Sequence, residues 1–178
     1  MIKVIGTVAQ KELMMLDFLK QSAGQWKSQR RYYTLEKETE PEEVESLIKI
    51  RYLEQGSPEL LELAQIHQLK GDSSLVGGAK VSWTSNYTGK IRKPSTGSTI
   101  FGVLGDIMYR NRGFATTKPV TATYYFSNPH TMALKTEYNG SVFEEEVKLI
   151  GNSYRTRQTI ISRAGQEIMI GQYLEKRY

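Results

Sequence analysis

The stretch SVFEEEVKLI, residues 141–150, alternates apolar and polar side chains along its whole length. Successive side chains of a β-strand point to opposite faces, so a period of two predicts a strand that buries one face. Phe143, Val147 and Leu149 share the apolar face, and Glu145 stands among them. Burial of a lone charge costs several kcal/mol, so an inward carboxylate needs a cation or a ligand beside it.

Charged residues recur in the same way on the next two predicted strands. Residues 154–162 place Arg155, Arg157, Thr159 and Ile161 on one face, and residues 168–176 group Met169, Gly171, Tyr173 and Glu175. We expect these charges to pair across strands or to face a ligand cavity. The alternative is a solvated exterior face of a barrel, which is the more common place for Lys, Glu and Arg on any single strand.

Turn signals divide most of the chain into short strands. Strands are predicted at residues 24–35, 45–54, 75–85, 97–103, 113–127, 131–138, 141–150, 154–163 and 167–177, with turns at residues 86–90, 128–129, 151–152 and 164–165 and at Asn139-Gly140, the strongest hairpin signal. Consecutive strands joined by short turns form a meander, which closes most economically into an up-and-down barrel without free edges. A barrel of about 8–10 strands leaves room for one small ligand.

Two short α-helices interrupt the β pattern. Residues 10–21 carry an apolar side rich in Met and Leu, and such a helix fits as a plug at one barrel end. A second helix is predicted to begin after Ser57, with Pro58 in its first turn, and to end near residue 67. The expected fold is therefore mostly β, an antiparallel up-and-down β-barrel with two short α-helices in a single domain over residues 1–178.

The composition is that of an ordinary globular protein, with 39% hydrophobic and 24% charged residues. No apolar run approaches the roughly 20 residues of a membrane span, and the N-terminus lacks the apolar segment of a secretory signal. The chain has no Cys, so disulfides and a thiolate nucleophile are excluded, and a reducing compartment is expected. His67 and His130 have no partner at metal-ligand spacing, so we expect no metal site.

The net charge of +5 suggests an acidic ligand or partner. The basic residues are scattered, and no helix-turn-helix, zinc-finger or RNP motif is present, so nucleic-acid binding is not expected. The G-x-S-x-G, Walker A and G-x-G-x-x-G motifs are absent too, which argues against hydrolase and nucleotide-binding functions. An anionic small molecule and an acidic protein surface remain as alternative partners.

Aromatic residues accompany the charged ones. Trp26, Ser28, Arg30 and Tyr32 share one face of the first strand, and Trp83 follows a double glycine in the third. A core position is the alternative for both tryptophans. The 11 tyrosines, joined to inward Arg and Glu, suit a flat, conjugated, acidic ligand.

A series of short motifs covers nearly the whole chain. They are Phe18-x-x-x-Ser22-x-Gly24-x-Trp26-x-Ser28-x-Arg30, Gly77-Gly78 with Trp83, Arg112-Gly113-Phe114-Ala115-Thr116 with Pro119-Val120, Glu137-Tyr138-Asn139-Gly140, Phe143-Glu144-Glu145, Arg155-Thr156-Arg157-Gln158-Thr159 and Gly171-Gln172-Tyr173-Leu174-Glu175-Lys176-Arg177. In this order they resemble the CpeS/CpcS-type phycobiliprotein lyases, which are lipocalin-like barrels. Many members of that family have a His where this chain has Tyr32-Tyr33.

The resemblance implies a single lipocalin-like bilin-lyase domain. Such a lyase binds a free phycobilin, either phycoerythrobilin or phycocyanobilin, and transfers it to a cysteine of a phycobiliprotein subunit as a thioether. The bilin is then a substrate, no cofactor is expected, and the β subunit is the expected acceptor. The implied location is cyanobacterial cytosol or plastid stroma, and a homodimer is left open. The alternatives are a lipocalin-like non-catalytic carrier of a hydrophobic acid and an interaction module without a ligand.

The resemblance also suggests roles for the charged and aromatic residues. Arg30 with Arg155 or Arg157 would bind the two bilin propionates. Glu145, with Glu175 as the next candidate, would stabilise the protonated pyrrole nitrogens and assist proton transfer. The remaining substrate-binding candidates are Trp26, Trp83, Tyr173 and Asp106.

Overall fold

Antiparallel strands in the computed structural model close into one barrel, and the residues that it describes are 6–37, 39–70, 75–89 and 93–178. The barrel order is β1-β10-β9-β8-β7-β6-β5-β4-β3-β2, so each strand pairs with its neighbours in sequence and β1 closes the sheet against β10. The strands are β1 Gly24–Thr34, β2 Glu42–Glu54, β3 Gly77–Tyr87, β4 Ser95–Leu104, β5 Ile107–Arg110, β6 Val120–Asn128, β7 Thr131–Tyr138, β8 Ser141–Ile150, β9 Tyr154–Arg163 and β10 Gln166–Arg177. The predicted up-and-down barrel is confirmed.

The prediction was wrong in one part of the barrel, between β4 and β6. A single strand was predicted over residues 113–127, but β6 begins only at Val120, and the short strand β5 was missed. The tight turn before β5 depends on Gly105, whose φ of 63° is in the left-handed region. After β5 the chain turns again, because the Gly113 amide donates to the Thr116 carbonyl. Lys90, the last residue of the predicted turn 86–90, lies outside the described residues.

Helix α1, Val8–Ser22, closes one end of the barrel, as predicted. Thr7 caps it by accepting a hydrogen bond from the Gln10 amide. Its buried face packs on the barrel interior, where Phe18 meets Phe126 edge to face at 5.6 Å. We call this end, with the turns before β5, β7 and β9, the closed end, and the opposite end, with the turn Asn139-Gly140 and residues 111–119, the mouth.

Arg177 fastens α1 to the barrel at the closed end. Its guanidinium donates hydrogen bonds to the carbonyls of Gln21 in α1, of Ala23 just after that helix and of Asn152 in the turn between β8 and β9. It also lies 4.2 Å from the ring centre of Trp26, whose Nε1 donates to the Ser22 carbonyl at 2.9 Å. The closed end is thus held by a cation whose donors are bonded to the backbone.

Helix α2, Pro58–Ile66, packs on the outside of β3 and β4 through a small apolar cluster that includes Leu60 and Leu63. Ser57 and Pro58 stand at its start, as predicted. Gly78 allows the close approach, because a Cβ there would lie 2.9 Å from Leu60 Cδ2 and 2.0 Å from the Phe101 carbonyl oxygen. Within the described part of the chain, neither helix has the length and apolar character needed to cross a membrane.

Candidate functional site

A cavity of about 350 Å³ occupies the barrel interior between α1 and the mouth. Phe18 and Leu19 of α1 contribute its floor, and apolar residues of β2, β4, β5 and β7 line its walls. Tyr87, Arg112 and Phe114 line it toward the mouth. The volume is within the range of small-molecule sites, and its mixture of apolar walls with a few polar groups is typical of them.

The charged faces of β8, β9 and β10 point into the barrel. Phe143, Glu145 and Val147 are buried, whereas Glu144 and Glu146 between them are exposed. Arg155 on β9 and Glu175 on β10 are buried on the same interior side. The predicted strand parity is confirmed, and the alternative of a solvated exterior face is wrong for these residues.

Glu145 lies between two arginines on the cavity wall. Its Oε1 accepts a hydrogen bond from Nη2 of Arg157 at 2.9 Å, and its Oε2 is 3.8 Å from Nη1 of Arg110. The side chain of Glu145 is 5% exposed, against 24% for Arg157 and 9% for Arg110. Burial alone would raise the pKa of Glu145, but the charges of Arg157 and Arg110 outweigh burial and hold the pKa below its ordinary value. Two cations therefore share one ionised carboxylate.

Glu175 and Arg155 form a separate pair nearer the closed end. Oε1 of Glu175 accepts a hydrogen bond from Nε of Arg155 at 2.7 Å, and the Glu175 side chain is 0% exposed. Burial would raise the pKa of Glu175, but the neighbouring charge of Arg155 lowers it below the ordinary value. The Arg155 guanidinium lies 5.0 Å from the ring centre of Trp26, which is fully buried. Trp26 therefore supports this pair from the side of the closed end.

Tyr173 separates two of the arginines. Its ring centre is 5.2 Å from the guanidinium of Arg30 and 4.9 Å from that of Arg157, and Tyr32 meets it edge to face at 5.8 Å. Both cations are thus attracted to one aromatic ring, which holds them apart. Arg30 also donates a hydrogen bond from Nε to Ser28 Oγ at 3.2 Å.

Trp83 lies on β3, across the cavity from β8, and Gly97 on β4 leaves space for its ring. Trp83 pairs with Gly97 across β3 and β4, and a Cβ at Gly97 would lie 2.5 Å from Cζ2 of the indole. The guanidinium of Arg112 stands 5.9 Å from the indole on the mouth side. Trp83 is therefore a cavity wall residue whose position depends on a glycine.

Three of the motifs meet at the mouth. The ring of Tyr138 stacks on Phe143 with ring centres 4.8 Å apart, and the tilted ring of Phe114 also packs against Phe143 at 5.6 Å. The Tyr138 hydroxyl accepts a hydrogen bond from the Ala115 amide at 2.7 Å. These contacts fix the segment that carries Arg112 over the cavity.

The structure brings only part of the predicted site together. Arg30, Trp83, Glu145, Arg155 and Arg157 line the cavity. Trp26, Tyr173 and Glu175 are buried behind these residues and do not line it. Asp106 is exposed in the turn between β4 and β5 at the closed end, away from the charged cluster. This placement was missed because strand β5, which follows the turn, was not predicted.

Arg110 was not predicted as a site residue, although it lines the cavity. A period-two signal was present, since Met108, Arg110 and Arg112 all line the cavity from alternate positions. It was hidden because β5 has only four residues. In the described part of the chain, no cluster of three or more His, Asp or Glu residues is arranged to hold a metal ion.

A larger concavity, of about 670 Å³, lies on the outer surface of the barrel. Its walls include Gln29, Glu45, Gln158 and Leu174, which alternate with interior residues and point outward. It shares Arg30, Val44 and Arg157 with the interior cavity, but most of its lining is exposed. The interior cavity is instead lined by the buried Arg110 and Arg155. We therefore place the candidate site in the interior.

Comparison with known proteins agrees with this architecture. A family model described as "CpeS-like protein" matches residues 14–178. A Nostoc sp. protein provisionally named phycocyanobilin lyase CpcS 2 is 59% identical over 175 residues, covering 98% of this chain and 96% of the relative. A Picosynechococcus sp. protein provisionally named chromophore lyase CpcV is 52% identical over 160 residues, covering 90% of this chain and 79% of the relative.

A solved structure shares the fold. The S-type phycobiliprotein lyase CPES from Guillardia theta aligns with a TM-score of 0.77 at 20% identity, and the alignment covers 92% of each chain. At this identity the likeness concerns the fold alone, and it confirms the predicted barrel class. The family match includes every described strand of the barrel. The chain therefore belongs to the CpeS-like protein family.

Proposed function

We propose that the chain is a phycobiliprotein chromophore lyase that binds a free phycobilin in the barrel cavity and transfers it to a cysteine of a phycobiliprotein subunit. The observation that carries the proposal is the charge of the cavity wall. Five arginines and one glutamate line it, in a chain of the CpeS-like family. A linear tetrapyrrole matches that wall, because it combines a flat conjugated body with two propionates.

The propionates are proposed to bind first to Arg30. This guanidinium lines the cavity, and its position is fixed by Tyr173 and Ser28. Arg157 lies on the other side of the same ring and can share a propionate, whereas Arg155 is already engaged by Glu175. A charge-assisted hydrogen bond of this kind contributes about 1.5–3 kcal/mol.

Glu145 is proposed to act on the pyrrole nitrogens. It lines the cavity as a carboxylate, so it can accept hydrogen bonds from a protonated tetrapyrrole and hold its positive charge. In the transfer the acceptor sulfur bonds to the exocyclic ethylidene carbon, and a proton adds to the ring carbon at the other end of that double bond. The thiol is thus added across the double bond, with no oxidant and no leaving group. Glu145 is proposed to relay the proton.

Glu175, Trp26 and Tyr173 are proposed as positioning residues. Glu175 orients Arg155, and Trp26 lies under the same guanidinium. Tyr173 separates Arg30 from Arg157. None of the three needs to touch the bilin to fix the residues that do.

The acceptor subunit is proposed to approach the mouth. The chain has no Cys, so the sulfur must come from the acceptor, and no thiol of the lyase competes for the bilin. A reducing cytosol or plastid stroma suits the reaction, because the acceptor thiol must stay free. The name of the Nostoc relative favours phycocyanobilin over phycoerythrobilin as the first bilin to test. A β subunit is proposed as the first acceptor.

Co-expression with a bilin-producing pathway and candidate apo-subunits tests the proposal. Covalent bilin on the subunit, seen as zinc-enhanced fluorescence on a denaturing gel, is the expected result. Glu145→Gln should reduce the signal, and the matched variants Glu144→Gln and Glu146→Gln on the exterior should not. Reversible bilin binding without transfer to any subunit would show a non-catalytic carrier. Pigment bound covalently to the lyase chain would overturn the carrier step.

A further inference from the structure

Arg110 stands out among the cavity arginines because its charge is poorly matched. The guanidinium lines the cavity, yet its Nε has no hydrogen-bond acceptor among the described residues. Its contact with a carboxylate is the 3.8 Å approach to Glu145, which is longer than a hydrogen bond. Glu145 is already hydrogen-bonded to Arg157 at 2.9 Å. One carboxylate therefore serves two guanidiniums, and Arg110 has the weaker share.

Other arginines of this barrel have hydrogen-bond acceptors for their guanidinium groups. Arg177 donates to three backbone carbonyls and packs on Trp26. Arg155 donates to a fully buried carboxylate. Arg110 instead lies over the ring of Phe101 at 4.8 Å, which attracts the charge but accepts no N–H···O bond. Its Nε is buried without an acceptor, and the side chain lines the cavity.

A second guanidinium lies on the same side of the barrel. Arg112 follows Arg110 by two positions, lines the cavity nearer the mouth and stands over Trp83. No ion pair of Arg112 with a carboxylate is found in the described part of the chain. In the barrel order β5 is opposite β10, so this pair faces the wall that carries Tyr173 and its arginine neighbours. The cavity thus has two cationic walls.

We propose that Arg110, assisted by Arg112, binds a carboxylate group of the ligand, separately from Arg30. This inference rests on the proposed function, in which the ligand is a bilin with two propionates. A carboxylate near Arg110 would occupy the free donors in the fork geometry that a guanidinium offers. It would also leave Glu145 with Arg157, so that each guanidinium of the cluster gains an anion. The site would then distinguish a bilin with two free propionates from one whose propionates are blocked.

Equilibrium binding of phycocyanobilin and of its dimethyl ester, followed by absorption and tryptophan fluorescence, tests the proposal. The wild-type protein should bind the free acid more tightly than the ester. Arg110→Gln should lower the affinity for the acid about tenfold and leave the affinity for the ester nearly unchanged. Arg163→Gln removes an exposed charge near the mouth outside the cavity lining, and its acid-to-ester ratio should stay at the wild-type value.

The outcomes separate the inference from the function on which it rests. An unchanged acid-to-ester ratio in Arg110→Gln, or an equal fall for acid and ester, would overturn the role of Arg110. Binding of neither compound to the wild-type protein would instead overturn the proposed bilin function. If Arg110→Gln does not fold, Arg110→Lys keeps the charge but loses the fork, and it should lower the ratio part of the way. A wild-type ratio in Arg110→Lys would then contradict the proposal.

Discussion

The barrel contains two buried clusters of arginine and glutamate side chains. They differ in the number of arginines for each glutamate. Near the closed end, Glu175 and Arg155 form a one-to-one pair, with the carboxylate fully buried outside the cavity lining. Nearer the mouth, Glu145 is shared by Arg157 and Arg110, and all three residues line the cavity. The difference is one of charge, since a one-to-one pair is neutral as a whole and a cluster with excess positive charge attracts an anion.

The comparison shows why a buried charge by itself does not mark a binding site. Both carboxylates have a pKa below the ordinary value, and burial opposes that shift in both cases. The two carboxylates differ in two ways. Glu145 lines the cavity and Glu175 does not, and Glu145 has two guanidiniums beside it whereas Glu175 is paired with one. Glu175 is therefore interpreted as part of the fold, and Glu145 as part of the ligand site.

The largest effect on stability is expected for Glu175→Gln. The change leaves Arg155 buried without its anion, which should cost about 3–5 kcal/mol in the free energy of unfolding. Urea unfolding of the purified protein measures it, with the exposed Glu144→Gln as the matched control. Added bilin should stabilise this variant no more than it stabilises the wild type, because the propionates are proposed to bind Arg30 and Arg110 rather than Arg155. A loss below 1 kcal/mol, or a greater stabilisation by bilin than in the wild type, would remove the distinction between the two clusters.

A smaller loss of stability is expected for Glu145→Gln, about 2–3 kcal/mol, because Arg157 is 24% exposed and solvent can replace part of the lost partner. Bilin should restore part of it by supplying an anion to the same guanidiniums. Bound bilin should shift toward the spectrum of the unprotonated pigment, and transfer should slow by about 10²–10⁴. Normal spectra and transfer in Glu145→Gln, Glu144→Gln and Glu146→Gln alike would end the assignment of Glu145.

Acid should destabilise the protein through both carboxylates. Their pKa in the folded state is below the ordinary 4.5, so the unfolded chain binds more protons and stability falls as the pH falls. The contribution should be complete above about pH 4.5 and lost as the pH falls through the lowered values. Thermal unfolding at a series of pH values measures it. Glu175→Gln should flatten that slope, and a wild-type slope in the variant would be the contrary result.

The smallest effect is expected for Gly97→Ala, which tests the wall opposite the ion pairs. The new Cβ would lie 2.5 Å from the indole of Trp83, so the ring must move. We expect a few-fold loss of bilin affinity, a changed tryptophan emission and little change in melting temperature. Ser98→Ala, one position away in β4, is the control. An unchanged affinity together with a changed emission would show that Trp83 does not contact the bilin.

The sequence predicted the site where the strands are long and their alternation is regular. The period of two in β8, β9 and β10 placed Glu145, Arg155 and Glu175 inside, and the structure confirms it. It failed at β5, whose four residues are too few for a period to be recognised. Arg110 was therefore missed, and Asp106 was proposed for a cavity that it does not reach.

Alternation, turn residues and motif order determined the barrel, the inward faces and the family resemblance from the sequence alone, because these depend on neighbours along the chain. Only the closed sheet decided which inward residues share a space. Glu145 on β8 meets Arg110 on β5, although β6 and β7 lie between these strands in the sheet, because the barrel curves β5 and β8 toward a common interior. The same closure put Glu175 and Trp26 behind the cavity wall rather than on it. Strand parity fixes the direction of a side chain, and the curvature of the barrel fixes its partners.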